Sequence, residues 1–177
     1  MEMNKFFIAT ALGLGLLSAT PALAQSSASA TATGSTTIIQ PVTVTKTADL
    51  IFGRVVRPAS GSDTISITNL SDAVTATGGT AFPIATTGVT TSRAKFTVAG
   101  EGGQTVSVTV PANFSMTGTG TAIVVTLSGD KTASQALGGT LGTASSIVVN
   151  VGGSFALAST QATGAYSGSF TVSAAYN

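Results

Sequence analysis

The segment Arg93–Pro111, RAKFTVAGEGGQTVSVTVP, sets the fold class. In both halves apolar and polar residues alternate, with Phe96 and Val98 in the first run and Val106 and Val108 in the second. Alternation with period two is the mark of a strand with one buried face. The intervening Ala-Gly-Glu-Gly-Gly reads as a turn, so the segment is expected to form a β-hairpin. Outward from it the same period recurs at Thr36–Lys46, Leu50–Val56 and Thr64–Asn69. It returns at Ala122–Ser128, Ser146–Leu157 and Tyr166–Tyr176. Turn-forming clusters such as Pro58–Asp63 and Gly129–Thr132 separate the runs. Beyond the N-terminal segment no apolar 3.6-residue pattern persists for three turns. Many short strands with regular turns predict an all-β, antiparallel fold, a β-sandwich or a small barrel.

Residues 1–24, MEMNKFFIATALGLGLLSATPALA, have the layout of a cleavable secretory signal peptide. Lys5 stands before the apolar stretch Phe6–Leu17, and Ala22-Leu23-Ala24 forms the small-residue cleavage site. The apolar stretch is shorter than the ~20 residues that span a bilayer. The mature chain is therefore expected to begin near Gln25, to be exported, and not to be inserted in a membrane. The expected organisation is a signal peptide at 1–24, an N-terminal extension at 25–37 and a sandwich domain at 38–177.

Only 7% of the residues are charged, against about 25% in a typical globular domain. Past the signal peptide six bases (Lys46, Arg54, Arg57, Arg93, Lys95, Lys131) face five acids (Asp49, Asp63, Asp72, Glu101, Asp130). That balance makes no basic stripe, so a nucleic-acid partner is not expected. The chain has no histidine and no cysteine, which removes the usual nucleophilic triads and the preferred zinc ligands. The five acids are scattered, without the close spacing of a calcium loop. Ser128-Gly129-Asp130-Lys131 fits S-x-x-K, but S-D-N and K-T-G do not accompany it. No enzyme activity, catalytic residue, metal or cofactor is expected.

The two ends carry the functional expectation. Ser26–Ser35, SSASATATGS, alternates strictly, with Ala28, Ala30, Ala32 and Gly34 on one side, followed in phase by Thr36 and Ile38. A flexible linker, the ordinary meaning of a Ser/Ala/Gly tract, has no need of that phase. At the other end Tyr166, Gly168, Phe170, Val172, Ala174 and Tyr176 share one face of an alternating run. That run is expected to present a free strand edge, which recruits a further strand.

The ending G-x-Y-x-G-x-F-x-V-x-x-x-Y-N is similar to the last strand of chaperone–usher pilin subunits and spore-coat-U-type proteins. The opening, with Ile38–Lys46 and the L-x-F-G element Leu50–Gly53, resembles a bacterial family of exported proteins, domain of unknown function 4402. The pilin resemblance implies an incomplete immunoglobulin-like antiparallel β-sandwich whose missing strand comes first from a periplasmic chaperone and then, at an outer-membrane usher, from the next subunit. Neighbouring copies would thus be its partners, on a route from periplasm to the surface of a Gram-negative cell. It would make Ala28, Ala30, Ala32 and Gly34 the inserted donor residues, and Tyr166, Phe170, Val172 and Tyr176 the receiving edge. Donor residues around Ile38 and Val42 are the alternative, with Pro41 removing a ladder hydrogen bond there. Two further readings stay open. The arm could complete its own domain, or a self-contained sandwich could bind a surface carbohydrate or another protein.

Overall fold

A computed structural model describes residues 27–84 and 88–177. The proposed signal peptide lies outside the described residues. The chain divides into two units, Met1–Thr36 and Thr37–Asn177. In the first, residues 27–36 are exposed and belong to no strand. The second is all-β and sandwich-like.

Its strands are β1 (Thr43–Ala48), β2 (Arg54–Val56), β3 (Ser62–Ile67), β4 (Val74–Thr77), β5 (Phe82–Ile84), β6 (Ala94–Glu101) and β7 (Thr105–Thr109). They continue with β8 (Asn113–Gly118), β9 (Ile123–Gly129), β10 (Ala133–Ala136), β11 (Ala144–Ala158), β12 (Tyr166–Ser167) and β13 (Ser173–Tyr176). All ladders are antiparallel. The large sheet runs β1-β6-β11-β9-β8-β12, with β3 and β4 attached through β11, and it curls into a half-barrel. A smaller sheet runs β10-β7-β13, and β2 pairs with β5.

Strand β11 organises the large sheet because it is long enough to serve three partners. Its first half pairs with β6 and its second half with β3 along the same edge, while β9 takes the opposite edge. The handover falls at Gly152-Gly153. A side chain at Gly152 would collide with the Ile67 carbonyl and the Thr68 backbone, so glycine lets the end of β3 close up against β11. One core joins both sheets: Val98, Val149 and Val151 from the large sheet share a cluster with Val106 and Val108 from the smaller sheet and with Val172, just before β13. The alternation read from sequence matches this core, as β6 and β9 bury every second residue.

Three expectations need correction. Residues 93–111 do not form a hairpin. β6 lies between β1 and β11, whereas β7 lies between β10 and β13 in the other sheet. The turn spends its backbone groups elsewhere: the Gly102 amide donates to the Thr143 carbonyl (2.8 Å) and the Gly103 amide to Leu137 (3.0 Å). The C-terminal run is likewise two strands. β12 pairs with β8 and β13 with β7, and Gly168–Val172 crosses between them in no strand. The first strand begins at Thr43 instead of Thr36, because Pro41 offers no amide and Gln40 bonds to side chains. In addition, β4, β5, β8 and β10 are short strands that the sequence reading left among loops.

Candidate functional site

The first and last strands frame the site. β1 ends the large sheet and β13 ends the small one, and among the described residues no strand pairs with the outer edge of either. A strand edge left unpaired is a row of amides and carbonyls available to another segment. β1 runs away from Gln40 towards Leu50. The C-terminal segment runs the opposite way beside it, from Gly168 to Tyr176.

At one end of this slot a polar clamp holds the two strands together. Glu101 is buried, 2% exposed, at the end of β6. Its carboxylate accepts the Gln40 amide at 3.1 Å and the Gly142 amide. The Tyr176 hydroxyl accepts the Glu101 amide at 2.6 Å and donates to the Gln40 carbonyl at 2.7 Å. Both backbone groups of Gln40 are therefore occupied, and Pro41 after it restricts Gln40 to extended conformations. Gly100 makes room for this arrangement, since a side chain there would strike the Tyr176 hydroxyl.

At the other end, between Lys46–Leu50 and Gly168–Phe170, lies a cavity of about 270 Å³. Its lining is mixed, aromatic through Phe96, Phe114 and Phe170 and polar through Lys46, Asp49 and Ser169. Phe170 packs against Phe96 (centroids 6.0 Å apart) and against Phe114 (5.1 Å), with Leu50 beside them. Lys46 and Asp49 form an ion pair across 2.6 Å at its rim, with both side chains more than half exposed. Such an exposed pair contributes about 0–1 kcal/mol.

The residues of the expected receiving edge thus have separate places. Phe170 lines the cavity, Val172 is buried in the core, and Tyr176 closes the clamp. Tyr166 sits on β12 at the far edge of the large sheet. Its hydroxyl accepts from the Gln161 amide group and donates to the Ala162 carbonyl, both at 2.8 Å. It fastens the 161–166 loop and has no part in the slot. Of the expected donor residues, Ala28, Ala30, Ala32 and Gly34 are all exposed and in no strand. Sequence reasoning missed Glu101, which looked like a turn residue, and missed Gln40, Phe96 and Phe114 as partners of the C-terminal segment. The only signal was a carboxylate between glycines in a chain that has few charges. In the S-x-x-K sequence, Lys131 donates to the Val148 carbonyl and pairs with Asp130. Among the described residues no three carboxylates come together, and no helix is long and apolar enough to cross a membrane.

The L-x-F-G element reads directly in this geometry. Leu50 reaches the cavity, Phe52 packs edge-on against Phe155 (4.9 Å, 87°), and Gly53 takes φ +73° where the chain leaves β1 for β2. Compared with known protein families, residues 42–176 match Domain of unknown function (DUF4402). The chain belongs to the DUF4402 family. The match takes in every strand of the DUF4402 domain from β1 to β13, and with them both walls of the slot. Neither the curated proteins nor the solved structures contain a match to it.

Proposed function

We propose that this DUF4402 protein is a structural subunit of a bacterial surface fibre, pilin-like and without enzyme activity, assembled by donor-strand exchange. In this reading the chain is exported, its sandwich is completed by an added strand, and the strand comes from the N-terminal extension of a neighbouring copy. A periplasmic chaperone and an outer-membrane usher would deliver it.

The observation that carries the reading is the slot between the first and last strands. The edges of β1 and β13 along it are unpaired among the described residues, a cavity with three phenylalanines lies at the end where Gly168–Phe170 is in no strand, and the same chain supplies an exposed, alternating arm. Strand addition to a sheet edge draws affinity from backbone hydrogen bonds and specificity from alternate side chains. A head-to-tail contact of this kind does not close on itself and therefore propagates into a fibre.

Removal of Ser26–Ser35 tests it. The shortened protein is expected to be exported and folded but not to polymerise. Polymers that persist without these ten residues would refute the reading.

A further inference from the structure

Resting on that fibre reading, we infer that Ile38 is the anchor of the donor arm and that its seat is the Phe96/Phe114/Phe170 cavity of a second copy. Ile38 is 89% exposed, the highest figure among the large apolar side chains of the domain. It stands in phase with Ala28, Ala30, Ala32, Gly34 and Thr36. An isoleucine so placed gains by burial of its side chain; the cavity of about 270 Å³ has room for it and offers Phe96, Phe114, Phe170 and Leu50 as apolar neighbours, beside the polar Lys46, Asp49 and Ser169.

The clamp decides whose cavity it fills. Gln40 is fixed at the Tyr176 end of the slot by Glu101 and Tyr176. The cavity begins at Lys46, six residues along an extended chain, or about 20 Å at ~3.3 Å per residue. Ile38, two residues from Gln40, is tethered within about 7 Å of it. It does not reach its own cavity from there. A tight reversal at Gln40-Pro41 is closed off too, since the two-residue hairpin turns need a positive φ at the first position. Gln40 does not have one; Ala133 is the only non-glycine with positive φ among the described residues.

Direction follows from the same geometry. An arm from a second copy laid antiparallel to the C-terminal segment carries Ile38, Thr36, Gly34 and Ala32 past Phe170, Val172, Ala174 and Tyr176 in turn. The bulky residue then meets the cavity, and the small ones pass Val172, already buried in the core, and the clamped Tyr176. This accounts for an arm whose in-phase face holds the small residues Ala28, Ala30, Ala32, Gly34 and Thr36 and ends on one large apolar residue, Ile38.

Because the chain has no cysteine, introduced thiols report cleanly. The full chain carrying Ile39→Cys and Ser169→Cys, which stand opposite each other in this register and leave Ile38 in place, is oxidised and run boiled without reductant. The expected result is a ladder of covalently linked multimers. A monomer closed by an internal disulfide would overturn the inference, as the arm would be serving its own domain. A ladder from Ile39→Cys with Ala175→Cys in place of Ser169→Cys would overturn the direction. Polymers that form without either link would overturn Ile38 as anchor while leaving strand exchange standing. An unmodified chain that forms no polymer would remove the fibre reading itself. As a second measure, Ile38→Asp is expected to weaken polymer assembly at least about tenfold and Ile38→Leu to preserve it. Equal assembly by both variants would contradict the inference.

Discussion

Tyr176 and Glu101 show how one residue can act through its backbone neighbours. A buried carboxylate needs partners to offset its lost hydration. Glu101 obtains them from two amides, one in the segment leading to β1 and one in the 138–143 loop, so a single side chain joins parts of the chain 41 and 61 residues away. Asp130 makes a similar tie between β9 and β11. Burial raises its pKa, but hydrogen bonds from the Asn150 side chain and amide, with Lys131 nearby, outweigh it and hold the value below the usual one. Asp72 is lowered as well, first by the Arg93 amide and then by Lys95. A carboxyl group whose pKa is depressed by folding contributes stability above its unfolded pKa of about 3.9, and loses it as pH falls through the folded value. The melting temperature is therefore expected to fall as pH drops from 5 to 2, and less steeply in Asp130→Asn. An unchanged slope in that variant, followed by calorimetry, would contradict the assignment.

At the scale of the elements, the long strand β11 is the piece on which the large sheet depends. Its glycine pair allows β3 to take over the edge that β6 leaves. Gly152→Val places a side chain against the Ile67 carbonyl and is expected to cost about 3 kcal/mol, near the upper range for overpacking. Urea unfolding measures it, and a loss below about 0.5 kcal/mol would mean that the handover is looser than described. This scale also shows what the sequence makes legible. Alternation found the strands that bury a face, β3, β6, β7, β9 and β11, because the face inward is written in every second residue. It did not find their partners. Phe96 and Val106 look alike in sequence whether the turn between them folds back into one sheet or crosses to another; bonds from Gly102 and Gly103 to residues 137–143 decide that. The C-terminal run keeps one face inward from Tyr166 to Tyr176 while changing sheets at Gly168. Phe170 could thus be read as a facing residue but not as the wall of a cavity. β10, four small and polar residues, carried too little alternation to be seen, whereas β8 does alternate, with Phe114 and Met116 turned to the core, and was overlooked.

For the molecule as a whole, the low charge and the absence of cysteine leave stability to strand pairing and a β-branched core. A domain of this kind with two open strand edges side by side invites a further strand, and edge strands are ordinarily blunted by charge, proline or bulges. β1 carries only a register shift between Lys46 and Ala48 and a lysine at the cavity rim. The outer edge of β13, SAAY, has no charged side chain. In the proposed fibre reading, these features, the exposed arm and the clamp at Gln40 would act together to join copies in a row. The most direct measurement is a gel of material sheared from cells that produce the protein, loaded unheated and boiled. The expected result is a ladder at multiples of the mature mass that collapses to one band on boiling. A single monomer band in both lanes would contradict strand exchange between copies.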